Sequence, residues 1–163
     1  MSRLDAFIRR MQAQRACIDA AAANLGGLTG PILELGLGNG RTYDHLRVCF
    51  PDRPIYVFDR HVAAHPDCIP PTQFLRLGDF RATLPGYLEE GQPSAAFVHA
   101  DIGSGDERAS LRLAADLAPI LVKILASRGY LACDQPLVEA SLEELTIPGV
   151  PDGGRYHFYL RRD

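Results

Sequence analysis

The sequence predicts an α/β protein with a doubly wound, mainly parallel sheet enclosed between two layers of helices. Three observations indicate this fold class. Short apolar runs alternate with stretches of helical periodicity along most of the 163 residues. The first apolar run leads into a loop with glycine at alternate positions, and four later runs each end in aspartate. Two short segments around a glycine-rich turn close the chain and predict an antiparallel hairpin.

Length and composition fit a single globular domain over residues 1–163. Apolar residues make up 47% of the chain, charged residues make up 23%, and the formal net charge is −3. That charge gives no general attraction to nucleic acid, so we expect no polymeric nucleic acid as a partner. The four cysteines form no C-x-x-C pair, and neither a signal-peptide pattern nor an apolar run of membrane-spanning length occurs. We therefore expect a cytoplasmic protein that enters no membrane and keeps its thiols reduced.

The first predicted element is an amphipathic helix within residues 1–27. Apolar side chains recur at helical spacing from Leu4 to Leu25. Ser2 is placed to cap the start of the helix, and Gly26 follows its end. We expect the apolar stripe to pack on the domain so that the helix covers the functional site. The same stripe leaves homo-oligomerisation open as an alternative.

The second element is a short strand that enters a glycine loop, in the segment PILELGLGNGR from Pro31 to Arg41. The alternating glycines are Gly36, Gly38 and Gly40. Glycine permits positive φ and lacks the Cβ that would hold a ligand away from the backbone amides. A short helix over residues 41–49, which begins with Arg41 and Thr42, presents its N-terminal amides to the same place. The loop is predicted to hold a nucleotide-like ligand.

The spacing of the glycines disfavours a dinucleotide. The dinucleotide fingerprint is G-x-G-x-x-G, whereas the third glycine of this loop comes one residue early. Glu34 precedes Gly36 by two residues and places a negative charge beside the loop, which would repel a pyrophosphate and attract a cationic ligand. A nucleotide-binding domain of the NAD type stays open as an alternative that this spacing does not support.

Four strand-like runs that follow the glycine loop each end in an acid. The acids are Asp59, Asp79, Asp101 and Asp134. Aspartate favours turns by itself, but four acids together with the glycine loop indicate more than turn formation. Because open parallel sheets bind ligands outside the carboxyl ends of their strands, we expect these acids to face a cationic ligand there. Asp59 follows Gly36 by about twenty residues, where such sheets place the acid that binds a ribose.

The segments between the strands predict one loop and one broken helix. Residues 61–71 hold three prolines and little periodicity, which predicts a loop. Residues 106–128 predict a helix in two pieces, because proline is tolerated in a first turn but not in a helix interior, and Pro119 lies in the middle. Asp116 is placed to cap the second piece.

The residues after Gln135 predict the end of the fold. We expect one further helix and then a hairpin, with strands over residues 145–148 and 155–162 around a turn region at 149–154. No repeat, low-complexity tract or linker marks a separate substrate-binding domain.

The motif Glu34-x-Gly36-x-Gly38-x-Gly40 resembles motif I of the class I S-adenosylmethionine-dependent methyltransferases, and the chain looks like the small single-domain bacterial type. The resemblance implies a Rossmann-like, three-layer α/β/α fold that ends in a C-terminal antiparallel hairpin. It also implies S-adenosylmethionine as cofactor and S-adenosylhomocysteine (SAH) as product. The residues that it places at the cofactor are Glu34, Gly36, Gly38, Gly40, Arg41, Thr42, Asp59, Arg60, Gly78, Asp79, Phe80 and Asp101.

Within this set, the resemblance gives four side chains specific roles. Asp59 would accept hydrogen bonds from both ribose hydroxyls, and Asp79 would accept one from the exocyclic amine of adenine. Phe80 would lie against the adenine ring. Asp101 would lie against the methionyl amine or act as a catalytic base, and Asp134 is the second candidate catalytic base.

A small molecule is the expected methyl acceptor. Methyltransferases that act on exocyclic base amines carry Asn-Pro-Pro-Tyr or Asp-Pro-Pro-Tyr after the fourth strand, where this chain has Asp101-Ile-Gly-Ser-Gly105. The resemblance also leaves open a non-catalytic S-adenosylmethionine-binding subunit that needs a partner protein, because the region after Gln135 is short.

Two metal hypotheses stay open, and no site residue is assigned to a metal. Cation-dependent O-methyltransferases hold a divalent metal with acids that end the fourth and fifth strands and with an amide. Asp101, Asp134 and Gln135 match these ligands in type, although Gln replaces the usual Asn and Pro136 follows directly. The second hypothesis is a transition-metal cluster of four neighbouring residues. These are His61, His65, Asp67 and Cys68.

Overall fold

The fold is a seven-stranded sheet between two pairs of helices. The computed structural model describes residues 2–151 and 154–163. The strands are β1 (Ile32–Leu35), β2 (Ile55–Asp59), β3 (Leu75–Leu77), β4 (Ala95–Ala100), β5 (Leu125–Cys133), β6 (Leu142–Glu144) and β7 (His157–Arg161). The α-helices are α1 (Arg3–Asn24), α2 (Arg41–Cys49), α3 (Phe80–Glu89) and α4 (Glu107–Ile124).

The strand order is β3-β2-β1-β4-β5-β7-β6. β7 runs antiparallel to β5 and β6, and the other neighbouring pairs are parallel. The predicted doubly wound sheet with a C-terminal antiparallel hairpin is therefore confirmed. Because β1 to β5 are parallel, their carboxyl ends lie at one edge of the sheet.

The helices cover both faces of the sheet, because alternate side chains of each strand point to opposite faces. α1 and α2 pack on one face, where Ile18 and Leu46 share a core with Ile32. α3 and α4 pack on the other face, where Leu121 shares a core with Leu33. The predicted three-layer α/β/α arrangement follows from this separation.

The N-terminal helix is confirmed, with the caps that the sequence predicts. Ser2 and Asp5 form a capping box at the start of α1. Gly26 follows the helix with a φ of +53°, which is the left-handed conformation in which helices commonly end.

The apolar stripe of α1 is buried only in its second half. Cys17 and Ile18 are fully buried, whereas Leu4, Phe7 and Ile8 are exposed. The sequence predicts that the whole stripe packs on the domain, but the first turns of α1 do not. Their exposed apolar side chains are the feature on which the oligomer prediction rests, and that alternative stays a prediction.

The expectation of a broken helix over residues 106–128 is wrong. α4 is one continuous helix with Pro119 inside it. Leu117 and its apolar neighbours are buried against the sheet, and this burial outweighs the cost of about 3 kcal/mol that an interior proline carries. Asp116 caps no helix and instead pairs with Arg81 on α3.

The end of the chain differs from the prediction in two ways. The first hairpin strand is β6, which ends before residues 145–148, although Leu145 still donates to a backbone oxygen of β7 at 2.7 Å. No helix lies in the described stretch between β5 and β6, because that stretch is short and Pro136 lies near its start. The predicted turn includes residues 152–153, which lie outside the described residues.

The sequence pattern does not predict α3, which contains Pro85. The loop predicted for residues 61–71 is confirmed, apart from a short 3-10 turn at Pro66–Cys68. The strand-like run that begins at Gln73 forms a second 3-10 turn first and becomes β3 only at Leu75.

The structure bears on the expected state of the cysteines and on the expected absence of membrane-spanning segments. All four cysteines are free thiols. Across residues 2–151 and 154–163, no helix has the length and apolar character needed to cross a membrane. The cytoplasmic location stays a prediction.

Candidate cofactor and methyl-transfer site

The glycine loop between β1 and α2 approaches the end of β4 closely. Gly36 has a φ of +90°, and a Cβ added to it would lie 2.4 Å from the backbone oxygen of Asp101. Gly40 also has a φ of +90°, and its added Cβ would lie 2.4 Å from the Cβ of Cys68. Contacts this short leave room for glycine alone at both positions. A Cβ on Gly38 would meet nothing within 4 Å, so the backbone there is open to a ligand.

A cavity of about 560 Å³ opens beside this loop at the carboxyl edge of the sheet. The predicted cofactor residues that line the cavity are Gly36, Gly38, Asp59, Arg60, Phe80 and Asp101. The predicted cofactor residues that do not line it are Glu34, Gly40, Arg41, Thr42, Gly78 and Asp79. The guanidinium of Arg41, for example, lies 5.8 Å from the ring centre of Phe7 on α1. Half of the predicted cofactor residues therefore line the cavity, and the other half do not.

Asp59 ends β2, and its carboxylate lies against the glycine loop. Oδ2 accepts hydrogen bonds from the amides of Leu37 at 2.8 Å and Gly38 at 3.2 Å. Oδ1 accepts from the amide of Arg60 at 2.6 Å and that of His61 at 3.4 Å. A carboxylate has about four acceptor positions. A ligand hydroxyl would therefore replace the longer contacts, those from Gly38 and His61.

Asp79 caps α3 instead of lining the cavity. Its side chain accepts from the amide of Arg81 at 2.9 Å and pairs with Arg60 at 3.1 Å. The hydrogen bond from the Arg81 amide, with the charge of Arg60, lowers the pKa of Asp79. The neighbouring Phe80 does reach the cavity. Of the two residues predicted to bind adenine, Phe80 therefore lies at the cavity surface and Asp79 does not.

Two polar side chains of α1, to which the sequence gives no predicted role, contact the cavity-lining Asp101. Nη2 of Arg10 lies 2.6 and 2.5 Å from the two carboxylate oxygens of Asp101. Nε2 of Gln14 donates to Oδ2 of the same carboxylate at 2.9 Å. The sequence holds a signal for Gln14, because it lies at helical spacing between Met11 and Ile18 and so interrupts the apolar stripe. A polar side chain on the buried face of a helix needs a hydrogen-bond partner.

A buried chain of polar contacts continues from Gln14 into the face of the sheet under α1 and α2. Nε2 of Gln14 lies 2.5 Å from the hydroxyl of Tyr156. The ring of Tyr156 stacks on His99, with the ring centres 6.2 Å apart. Nδ1 of His99 lies 2.7 Å from Oε2 of Glu34, and Thr42 donates to the other oxygen of Glu34.

The pair of Glu34 and His99 is fully buried. Burial disfavours the charged form of His99, but the adjacent carboxylate of Glu34 outweighs this effect and raises the pKa of His99. The two side chains form a buried hydrogen-bonded pair within the sheet. Glu34, which the resemblance places at the cofactor, has its carboxylate held by His99 and Thr42 beneath the loop.

Asp134 follows β5 and holds the loop that comes after β4. Its carboxylate accepts from the amides of Ile102 at 2.9 Å and Gly103 at 3.0 Å, and the side-chain amide of Gln135 donates to it at 3.1 Å. Burial, and then the negative charge of Asp101, raises the pKa of Asp134. Ile102 lines the cavity, whereas Asp134 does not. Asp134 acts in the structure as the anchor of this loop.

In the described part of the chain, His61, His65, Asp67 and Cys68 do not converge as a group of metal ligands, and Asp101 of the other hypothetical site is paired with Arg10. The guanidinium of Arg10 lies beside Asp101 where a cation would bind, at 2.5 Å from Oδ2. Among the described residues, one group of three His, Cys, Asp or Glu side chains has its ligand atoms within 4.8 Å of one another, and it lies elsewhere. Its members are Asp19, His45 and Cys49.

The strand order, the glycine loop and the acids at the carboxyl edge together define a class I methyltransferase fold. A family model described as S-adenosyl-L-methionine methyltransferase matches residues 1–162. A crystal structure of an S-adenosyl-L-methionine methyl transferase from Silicibacter pomeroyi DSS-3 is 47% identical, with 99% of each chain covered and a TM-score of 0.92. The chain therefore belongs to the S-adenosyl-L-methionine methyltransferase family. It is an S-adenosylmethionine-dependent enzyme, which decides against the NAD-type alternative.

More distant solved structures share the fold. Human methyltransferase-like protein 13 in complex with SAH is 12% identical, with 94% of this chain and 81% of that chain covered and a TM-score of 0.56. The antibiotic-resistance methyltransferase Kmr is 16% identical, with 91% and 93% covered and a TM-score of 0.56. Likeness at this level of identity shows the fold alone. A search of curated proteins finds no match.

Proposed function

We propose that the protein transfers the methyl group of S-adenosylmethionine to a small-molecule acceptor in the cavity at the carboxyl edge of the sheet. The observation that carries the proposal is the convergence of the glycine loop and two strand-end acids on one cavity of about 560 Å³. Small-molecule and cofactor sites commonly have volumes of about 300 to 1,000 Å³.

The side chains at the cavity suit the chemistry of this cofactor. When bound, S-adenosylmethionine supplies a methyl group on a sulfonium that is already an activated leaving group. Asp101 offers a carboxylate to its cationic end, and Asp59 offers acceptors to its ribose hydroxyls. Phe80 offers an apolar surface to adenine. Gly36 and Gly38 let the loop backbone approach the ligand without an intervening Cβ.

A small acceptor is supported by charge and by the position of α1. The formal net charge of −3 gives no general attraction to a polyanion. Arg10 and Gln14 bring α1 against Asp101 in the cavity wall, so we expect α1 to restrict access to the cavity from that side. Methyl transfer by in-line displacement needs positioning and exclusion of water more than it needs a strong acid or base.

The two candidate catalytic bases receive different roles in this proposal. Asp101 lines the cavity, so we assign its carboxylate to binding the cationic end of the cofactor, which would share this carboxylate with Arg10. Asp134 is a positioning residue, since its oxygens hold the amides of Ile102 and Gly103. An acceptor that is already nucleophilic at neutral pH then requires no general base.

The test is transfer of a radiolabelled methyl group to three separated acceptor pools, namely small metabolites, proteins and nucleic acids. We expect label in the metabolite pool, lost in Asp59→Ala and retained in Asp52→Ala. Asp52 is a matched control because it is an exposed aspartate that does not line the cavity. Label in the protein or nucleic-acid pool would contradict the small-molecule assignment.

A further inference from the structure

Three side chains that commonly bind metals converge between α1 and α2, outside the cofactor cavity. Asp19 comes from the second half of α1, and His45 and Cys49 lie one turn apart on α2. Nε2 of His45 lies 2.7 Å from Oδ1 of Asp19 and 3.5 Å from Sγ of Cys49. Sγ of Cys49 lies 3.8 Å from the same Oδ1. One nitrogen, one sulfur and one oxygen thus surround a single point.

The contacts differ from those of a cysteine nucleophile with its base. In such an arrangement the histidine meets the thiol with one ring nitrogen and the acid with the other. In this structure, both Cys49 and Asp19 approach the same nitrogen, Nε2 of His45. A metal ion needs this convergence of all three ligand atoms on one point.

The distances are close to those of a tetrahedral zinc site. Zinc lies about 2.3 Å from sulfur, about 2.0 Å from nitrogen and about 2.1 Å from oxygen ligands. At tetrahedral angles, these bond lengths place the sulfur about 3.5 Å from both the nitrogen and the oxygen. They place the nitrogen about 3.4 Å from the oxygen. The Cys49 separations of 3.5 and 3.8 Å already fit. Only the contact between His45 and Asp19 must open, and the side chain of Asp19 is 49% exposed. Arg15 approaches the other oxygen, Oδ2, and leaves Oδ1 for the metal.

We propose that Asp19, His45 and Cys49 form a binding site for a divalent transition metal of the zinc type, with water as the fourth ligand. A thiolate and an imidazole select zinc-like ions over magnesium or calcium, which prefer sites made only of oxygen. Binding displaces the thiol proton and requires a neutral imidazole, so the affinity rises with pH. This site does not depend on the proposed acceptor or on the cofactor.

The metal would connect α1 and α2, which do not line the cofactor cavity but adjoin two of the segments that do. α1 carries Arg10 to Asp101, and α2 follows directly after the glycine loop. A metal bound only by the folded chain stabilises it by mass action. At a free concentration of about 100 times the dissociation constant, the unfolding equilibrium shifts about 100-fold toward the folded state.

Cobalt is the experimental probe, because Co²⁺ bound to a thiolate gives a charge-transfer absorption that aqueous Co²⁺ lacks. The full chain, treated with a chelator and kept reduced, is titrated with Co²⁺ and then with Zn²⁺. We expect the thiolate band to saturate at one Co²⁺ per chain and to disappear when Zn²⁺ displaces the cobalt. Cys49→Ser and His45→Ala lose the band, and Zn²⁺ raises the Tm of the wild type but not of these variants.

Cys68→Ser is the matched control, because Cys68 is the other partly buried thiol and does not belong to the cluster. It keeps both the band and the Tm shift. Binding of SAH to each variant shows that the variant is folded, so loss of the band reports the metal site itself. Absence of a thiolate band in the wild type at excess Co²⁺, or its persistence in Cys49→Ser, would overturn the proposal.

Discussion

Replacement of Gly36 by alanine tests the close approach of the glycine loop to the end of β4. Gly36 has a φ of +90°, and an added Cβ would lie 2.4 Å from the backbone oxygen of Asp101, inside the 3.0 Å that real Cβ contacts respect. The positive φ costs about 1–2 kcal/mol, and overpacking against a backbone oxygen adds about 1–3 kcal/mol. We expect Gly36→Ala to lower the free energy of unfolding by about 2–5 kcal/mol.

The same substitution should weaken cofactor binding, because the loop must move away from Asp101 to make room. The assay combines urea denaturation with calorimetric titration by SAH. Gly91→Ala is the matched control, since Gly91 has a φ of +66° and an added Cβ would meet nothing within 4 Å. We expect the control variant to lose only about 1–2 kcal/mol of unfolding free energy, because of the positive φ, and to keep normal SAH affinity. Equal stability of the two variants, with equal SAH affinity, would refute the reasoning.

Asp134→Asn should flatten the pH dependence of unfolding in urea. Burial raises the pKa of Asp134 in the folded state. The protonated Asp134 side chain therefore contributes its full stabilisation below about pH 3.8, and this contribution is lost as the pH rises through the folded pKa. Asparagine does not titrate, so the variant lacks this pH dependence. Arg10→Ala should lower the free energy of unfolding by about 1 kcal/mol, since the Arg10 side chain is 43% exposed, while Arg3→Ala should not change it. Ellman's reagent should modify Cys49 and Cys68 in the folded protein and the two buried cysteines only after denaturation.

Each of these three expectations has a result that contradicts it. A pH profile for Asp134→Asn that matches the wild type would mean that this carboxylate carries no buried charge penalty. Equal stability of Arg10→Ala and Arg3→Ala would mean that the contact with Asp101 contributes nothing. Rapid modification of all the thiols in the native protein would contradict the burial of Cys17 and Cys133.

The parts of the site that the sequence predicts are those with local signals. Gly36, Asp59 and Asp101 are recognisable because each lies at the end of an apolar strand or directly after it, and Gly38 is recognisable from the alternating glycines. Parallel topology then brings strand ends together whatever the loops between them do. For this reason the edge of the sheet was predictable without knowledge of any long-range contact.

The parts that the sequence does not predict depend on packing between distant segments. Arg10 meets Asp101 only because α1 folds back across the sheet, and His45 meets Asp19 only because α1 packs on α2. In the sequence, His99 is a single polar residue within an apolar strand. Its partner is evident only in the folded sheet, where β1 places Glu34 beside it. The local preference of proline predicts a break in α4, whereas burial of its apolar face keeps the helix continuous through Pro119.

The proposed function requires the cavity at the carboxyl edge to bind S-adenosylmethionine and its product. Calorimetric titration of the full chain with SAH tests it most directly, with Asp59→Ala and Gly38→Val as variants and NAD as competitor. Gly38 has a φ of +49°, which is strained for valine, and its added Cβ would meet no protein atom within 4 Å. Valine at position 38 therefore both strains the loop backbone and places a side chain where the ligand would lie. We predict one SAH bound per wild-type chain, weakened or lost binding in both variants, and no competition by NAD. A folded wild-type protein that binds no SAH, or that prefers NAD, would contradict the account.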